Sequence, residues 1–303
     1  MKKPYTKTFK TYQEQLDQLK QRGMIVHDEV QALFYLQHMN YYRLCAYWLP
    51  FQQDPNTHQL KAGATFDEVY NLYRFDRELR LLVLDAIEHI EVSVRAIWAH
   101  EMAKVYGSHA HLDPTIWKNA TYHLDNEKKL TEEVQRSKED FIQHLVKTYT
   151  ETLPPIWAVC EVMSLGLLSR YYKNLDVPSN VSSVKKSIAQ HYGVGHPFLE
   201  SVLHQLTVIR NICAHHGRLW NRDLKFRPAK ATFLPSALKS LYHPNDSRMY
   251  NALIIMLHFM DVIAPQHSWR CRLKRLLLAN TQNLPPMGFP ENWESNAIWE
   301  DTP

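Results

Sequence analysis

The chain has 303 residues, of which 45% are hydrophobic and 12% aromatic, so it can bury a sizeable core and is not intrinsically disordered. Only 8 residues are glycine, which disfavours nucleotide-binding α/β folds, because these need glycine-rich turns after their strands. The net charge of +4 is small, so a nucleic-acid ligand would have to bind a local basic patch rather than the whole surface.

Helical periodicity dominates the first third of the chain. Two short helices are predicted over residues 12–22 and 28–39, separated by Gly23. Thr65 and Glu68 then form a capping-box pattern, after which apolar residues recur at helical spacing, with no Gly or Pro before Gly107. This pattern predicts one helix of about 40 residues, much longer than an average helix, as the spine of a bundle.

The rest of the chain also favours helices, and strand signals are weak throughout. The predicted fold class is therefore all-α, a helical bundle built on the long helix. We expect an N-terminal helical region (1–64), a helical core (65–283) and an extended C-terminal tail (284–303) docking on the core, together one compact unit. The further predicted helices are residues 131–149, 156–172, 183–192, 197–217, 247–263 and 266–280, with a turn at 176–180 and a Pro- and Lys-rich loop at 225–244.

One segment concentrates residues suited to RNA chemistry. Residues 207–222 have the sequence Thr-Val-Ile-Arg-Asn-Ile-Cys-Ala-His-His-Gly-Arg-Leu-Trp-Asn-Arg, with three Arg, two His and two Asn. An imidazole can take the proton from a ribose 2′-OH or protonate the leaving 5′-oxygen. A guanidinium can hold the scissile phosphate and stabilise the charge that builds on it. These are the groups that a ribonuclease needs when it uses no metal.

Helix geometry indicates how these groups could act together. Asn211 and His215 are four residues apart and share one helix face, whereas Arg210 lies about 140° around the helix from His215. One helix therefore cannot close both side chains neatly on one phosphate, but two copies around a two-fold axis could place both pairs in one cleft. His215 and His216 lie in the last predicted turn before Gly217, where the helix dipole favours a protonated ring.

The spacing Arg-x4–6-His carries no signal by itself, because the chain is rich in both residues and about three matches are expected by chance. In one match, Arg95/His100, Glu91 lies four residues before Arg95, and this spacing favours a structural ion pair over an RNA contact. Only the third match is followed by Asn, a second His and further Arg. The three matches are Arg22/His27, Arg95/His100, and Arg210 with His215 or His216.

Four stretches resemble the Abi-like (abortive infection, AbiD/AbiF) family of bacterial phage-resistance proteins. They are residues 40–48 (Asn-Tyr-Tyr-Arg-Leu-Cys-Ala-Tyr-Trp), 73–80 (Tyr-Arg-Phe-Asp-Arg-Glu-Leu-Arg), 210–222 and 287–293 (Met-Gly-Phe-Pro-Glu-Asn-Trp). The resemblance thus extends over nearly the whole chain. It implies the HEPN superfamily, whose members are helical, usually dimeric and often metal-independent ribonucleases with an Arg-x4–6-His motif.

By this resemblance Arg210, Asn211 and His215 take the catalytic positions, and His216 is the alternative in register. The resemblance implies a homodimeric endoribonuclease without cofactor or metal, acting on RNA in phage defence or as a toxin, with a small RNA or a protein antitoxin as a further partner. The alternative is a non-catalytic RNA-binding or protein-interaction helical module, in which the same cluster only binds phosphate. Further catalytic or RNA-binding candidates are Arg218, Asn221, Arg222, Arg95 and His100.

Several other residues suit a structural interpretation as well as a functional one. The aromatic residues of 41–48 could stack bases beside Arg43, but we expect them in the core; they are Tyr41, Tyr42, Tyr47 and Trp48. His109 and His111 do not match a standard zinc spacing, so a polar loop is predicted there. Basic residues near the cluster are as consistent with phosphate contact as with a solvated face. These residues are Arg218, Arg222, Lys225, Arg227 and Lys230, followed by Arg270, Arg272, Lys274 and Arg275.

The sequence also predicts a cytoplasmic protein. Its four cysteines are widely spaced and form no C-x-x-C pair, which favours a reducing compartment and signals neither a zinc ribbon nor a redox motif. The basic N-terminus is followed by a polar stretch rather than by the apolar segment of a secretory signal. No apolar run approaches the roughly 20 residues of a membrane-spanning helix, so no membrane partner is expected.

Overall fold

The computed structural model describes residues 4–54, 56–177, 183–225 and 234–300, and most of these residues are helical. The predicted all-α class, with a long central helix, is confirmed. Two short strands, β1 (Gln52–Asp54) and β2 (Gln59–Leu60), pair antiparallel. The helices are α1 (Tyr12–Gln21), α2 (Glu29–His38), α3 (Tyr41–Trp48), α4 (Phe66–Tyr106), α5 (Ala120–Arg136), α6 (Asp140–Thr148), α7 (Ile156–Val162), α8 (Leu165–Asn174), α9 (Val184–Gln190), α10 (His196–Ala214), α11 (Ser236–Lys239), α12 (Met249–Ile263) and α13 (Trp269–Leu278).

Helix α4 has 41 residues and begins where the sequence predicts. The capping box is present, because the Thr65 N–H donates to Glu68 Oε2 at 2.9 Å and the Glu68 N–H donates to Thr65 Oγ1 at 3.1 Å. The helix ends at Gly107, which has a φ of +85° and donates its N–H to a carbonyl of the last turn. Its apolar stripe is buried throughout, at Val69, Leu79, Val83, Ile90, Val94, Trp98 and Met102.

The chain divides into two compact units, Met1–Glu78 and Leu79–Pro303, and the boundary falls inside α4. In the first unit, α3 forms where the sequence analysis predicted no helix. Tyr47 and Trp48 of α3 are buried as expected, and the Tyr47 hydroxyl donates to Asp76 Oδ2 at 2.6 Å. The core interpretation is therefore correct for this pair, but it is wrong for Tyr42, whose side chain is 66% exposed.

In the second unit, two predicted helices are each broken in the middle. The segment 131–149 divides between α5 and α6, and the segment 156–172 divides between α7 and α8. The second break is explained by Ser164, which caps α8, while Glu133 of α5 accepts from the Ser164 N–H at 2.9 Å and from its hydroxyl at 2.8 Å. A cap held by a carboxylate 31 residues away is not visible in local periodicity.

The C-terminal tail packs within the second unit as a series of short 3₁₀ turns, so its description as extended is wrong. Trp299 is completely buried, and Lys274 Nζ donates to its carbonyl at 2.9 Å. The turns are Thr281–Asn283, Pro285–Met287, Trp293–Ser295 and Ala297–Trp299. Parts of the predicted turn at 176–180 and loop at 225–244 lie outside the described residues, and α11 forms within the described part of that loop.

Candidate functional site

The end of α10 differs from the sequence prediction in a way that affects the site. The helix ends three residues before Gly217, and His215 is its cap residue. His216 has a φ of +57°, the left-handed conformation that glycine usually supplies after a helix. The His216 N–H donates to the Cys213 carbonyl at 3.0 Å, and the Gly217 N–H donates to the Ile212 carbonyl at 2.8 Å. These two bonds form a Schellman motif with a histidine in the strained position.

Gly217 follows this strained residue for a packing reason. A Cβ at this position would lie 3.2 Å from the Ile212 carbonyl oxygen and 3.3 Å from Ile212 Cγ2, against the last turn of the helix. The Gly217 carbonyl accepts a 3.4 Å hydrogen bond from the guanidinium of Arg80, a residue of α4 that is only 5% exposed. The long helix thus holds the turn that presents the two histidines.

Sequence reasoning missed Arg80, although a signal was available. Arg80 lies three residues before Val83 and seven before Ile87, and both of these are buried. An arginine on the buried face of a helix must find polar partners, because an unpaired buried charge is costly. Its position therefore indicated a structural contact with another element of the fold.

The strain at His216 leads to a testable prediction. His216→Gly is expected to raise the free energy of unfolding by about 1 kcal/mol, because glycine adopts the left-handed conformation without the Cβ penalty. Urea unfolding at pH 7 measures the change. His216→Ala removes the same imidazole but keeps the Cβ, and should give no such gain. Equal stability of the two variants would show that the turn is not strained.

The predicted catalytic residues lie together on the surface at this helix end. Arg210, Asn211, His215 and His216 are all exposed. The His215 N–H donates to the Asn211 carbonyl at 3.0 Å, so the two residues stand one turn apart on the same face. An Arg210 guanidinium nitrogen lies 3.5 Å from Asn211 Oδ1. Asn211 is therefore positioned between the two groups that would carry the chemistry.

The residues that follow are fixed by two buried anchors. Leu219 is completely buried and Trp220 is 4% exposed, with its indole N–H donating to a backbone carbonyl of the C-terminal segment at 2.8 Å. The Arg218 guanidinium lies 6.0 Å from the centre of the Trp220 ring. The Arg222 guanidinium donates to the Arg218 carbonyl at 3.1 Å, and Asn221 is exposed with a φ of +49°. The segment is thus held by the buried side chains of Leu219 and Trp220, whereas Asn221 and Arg222 are exposed.

The sequence model of the Abi-like protein family matches residues 34–221, more than half of the chain. The chain belongs to the Abi-like protein family. The matched range includes α10, Arg210, Asn211 and both histidines of the helix end. A search of curated proteins gave no significant match, and neither did a search of solved structures.

The second Arg/His pair of the Abi-like chain has a different environment. Arg95 forms an ion pair with Glu91, as the spacing predicts. Its guanidinium also donates to the carbonyls of Glu161 at 2.9 Å and Met163 at 2.7 Å, at the C-terminal end of α7. His100 lies exposed farther along α4. Arg95 therefore fixes α7 to α4. The guanidinium N–H groups that could bind a phosphate are used in these protein contacts.

Fewer residues of the predicted basic run of the Abi-like chain are available for phosphate contact than the sequence indicates. Arg227 and Lys230 lie outside the described residues. Three basic residues of α13 bond to protein groups instead of presenting a free cationic surface. Arg270 donates to the Ile298 carbonyl and pairs with Asp261, Arg272 pairs with Asp85, and Lys274 donates to the Trp299 carbonyl. Of the remaining basic residues, Arg218, Arg222 and Lys225 follow the helix end in sequence, and Arg275 is exposed on α13.

In the ranges that the structure describes, no group of three or more His, Cys, Asp and Glu side chains is placed to hold a metal ion. The predicted polar loop at His109 and His111 is wrong, because a 3₁₀ turn at Ala110–Leu112 buries His111 completely. Within the described residues, no helix is both long and apolar enough to cross a bilayer.

Proposed function

We propose that this Abi-like protein is a metal-independent endoribonuclease that acts in abortive-infection phage defence or as a toxin. The observation that supports it is the exposed group Arg210, Asn211 and His215 at the C-terminal end of α10, in a chain of this family. Imidazole and guanidinium are the groups that phosphodiester cleavage by the ribose 2′-OH uses for proton transfer and charge stabilisation.

The proposed reaction is an internal transesterification. His215 acts as a general acid or base, and Arg210 holds the scissile phosphate and stabilises its developing negative charge. The 2′-oxygen gives up its proton and attacks phosphorus, and the P–O5′ bond breaks as the 5′-oxygen takes up a proton. The products are a 2′,3′-cyclic phosphate and a 5′-OH. Asn211 would orient the imidazole or the phosphate.

The complete site is proposed to form in a homodimer. Arg210 lies about 140° around the helix from His215, so each copy presents the two side chains in different directions. Two copies of α10 around a two-fold axis would place one imidazole on each side of a phosphate. Such a pair supplies both a base for the 2′-OH and an acid for the leaving oxygen.

The test is cleavage of a single-stranded RNA by purified protein in EDTA, wild type beside Arg210→Ala, with analysis of the product ends. We expect wild type to produce 2′,3′-cyclic phosphate ends and the variant to be at least about 100-fold slower, as for loss of a charge-stabilising donor. Arg43→Ala, which removes an arginine from the first unit, serves as the control. Salt-dependent RNA binding by wild type without cleavage would instead support a catalytically silent RNA-binding module.

A further inference from the structure

A second surface feature adjoins the candidate site. A cleft of about 810 Å³ lies between α5, α8 and α10 of the second unit. It has no role in the mechanism proposed above. Its lining includes Tyr122 and Arg136 of α5, Arg170 and Lys173 of α8, and His204 and Thr207 of α10.

The cleft runs along the face of α10 that carries Asn211 and His215. His204 and Asn211 are seven residues apart and therefore lie within about 20° of each other around the helix. Thr207 is a cleft residue one turn, or about 6 Å, before Asn211. His204 is exposed, as are Asn211 and His215. A ligand strand that leaves the helix end along this face would enter the cleft.

Arg170 gives the cleft a fixed planar group. Its Nε donates to Asn126 Oδ1 at 2.7 Å, and its terminal nitrogen pairs with Asp125. The guanidinium also lies 4.5 Å from the centre of the Tyr122 ring. The Arg170 side chain is 27% exposed and belongs to the lining of the cleft. Unstacked RNA bases bind such guanidinium planes, and a plane already held by three contacts loses little entropy on binding.

Three carboxylates line the cleft; Glu132 is exposed one turn before Arg136, and the other two are bound to protein groups. Glu133 is occupied by the Ser164 backbone and hydroxyl, and Glu200 pairs with Lys185 at 2.7 Å. Arg136 and Lys173 are exposed and form no ion pair with the residues that the structure describes. A polyanion could therefore bind these two cations without displacing an existing ion pair.

We infer that the α5–α8–α10 cleft binds the single-stranded RNA that flanks the scissile phosphate. A base stacks on the Arg170 guanidinium, and Arg136 and Lys173 bind backbone phosphates. A volume of about 810 Å³ is typical of a small-molecule site and accommodates splayed nucleotides rather than a duplex. This inference depends on the proposed function for the identity of the ligand.

The test measures binding of a 5′-fluorescein-labelled, 12-nucleotide single-stranded RNA by anisotropy, with His215→Ala as the parent so that the probe stays intact. Lys173→Glu should weaken binding about tenfold. It should also lower the magnitude of the slope of log K against log salt concentration by about one, as expected for a lost phosphate contact. Arg170→Lys keeps the charge but removes the plane, and should also weaken binding about tenfold. Lys128→Glu, on α5 but outside the cleft lining, is the matched control.

Each outcome decides the inference. Loss of affinity in both cleft variants but not in Lys128→Glu supports it. Parent-like affinity in both cleft variants, with normal melting curves, overturns it while RNA cleavage by wild type still stands. Equal affinity for a hairpin duplex would overturn the single-strand assignment. If neither the parent nor wild type binds RNA, the proposed function fails as well. Lys173 is exposed, so Lys173→Glu remains informative even if Arg170→Lys does not fold.

Discussion

His215→Ala is expected to lower kcat for RNA cleavage by about 10²- to 10⁴-fold, the usual contribution of a general acid or base. Because His215 is exposed and follows the last turn of α10, its side chain contributes little to folding, and the melting temperature should stay within about 2 °C of wild type. Single-turnover cleavage in EDTA separates the chemical step from product release.

The control for this variant is His38→Ala. His38 is also an exposed histidine in the last turn of a helix, α2, but lies in the first unit. It should cleave RNA at the wild-type rate. If His215→Ala and His38→Ala cleave equally fast, His215 is not the general acid or base.

The same assay decides between the two adjacent histidines. His215 continues the face of Asn211, whereas His216 is turned away from the helical path by its φ of +57°. We therefore expect the larger loss for His215→Ala and a smaller one for His216→Ala. If only His216→Ala lost cleavage activity, the catalytic histidine would be His216, and the strained turn would belong to the active site.

The sequence predicted those parts of the fold that are encoded locally. The capping box at Thr65 and Glu68, followed by uninterrupted apolar periodicity, was sufficient to locate α4 to within a residue. Breaks that depend on distant partners were missed, as at Ser164, where a carboxylate of α5 completes the cap. Periodicity reports which face is buried, but not which polar group from another element interrupts the helix.

The candidate site shows the same limit. The composition of residues 207–222 singled out the candidate segment, and the four-residue spacing correctly placed Asn211 and His215 on one face. The left-handed conformation of His216 could not be predicted, because Gly217 is the residue that a sequence pattern assigns to that position. The contact from Arg80 joins residues 137 apart in sequence and requires the tertiary fold.

Two buried histidines away from the site, His111 and His123, are expected to make the stability of the protein depend on pH. His111 is completely buried, and neither of its ring nitrogens has a hydrogen-bond partner among the described residues. Burial, together with the nearby His109 and His123, lowers the pKa of His111 to about 3. Burial also lowers the pKa of His123, whose ring stacks on Trp117 with centroids 5.0 Å apart. Both rings are therefore neutral in the folded protein at pH 7.

The protein is consequently expected to lose stability as the pH falls from 6.5 towards 3. The unfolded chain binds a proton at His111 near pH 6.5, whereas the folded chain binds one only near pH 3, so protonation favours unfolding across this window. The contribution is at most about 1.4 kcal/mol per pH unit, or about 3 kcal/mol between pH 6.5 and 4.5. Urea unfolding at half-unit pH intervals measures it.

His111→Leu isolates this contribution from that of the carboxylates. Leucine fills a similar volume, cannot take up a proton and leaves no buried ring nitrogen without a partner. The variant should be at least as stable as wild type at pH 7, and its stability should fall less steeply between pH 6.5 and 4.5. The exposed His38→Ala should keep the wild-type slope. Parallel pH profiles for wild type and His111→Leu would show that His111 titrates normally in the folded protein, and hence that its burial does not hold the ring neutral.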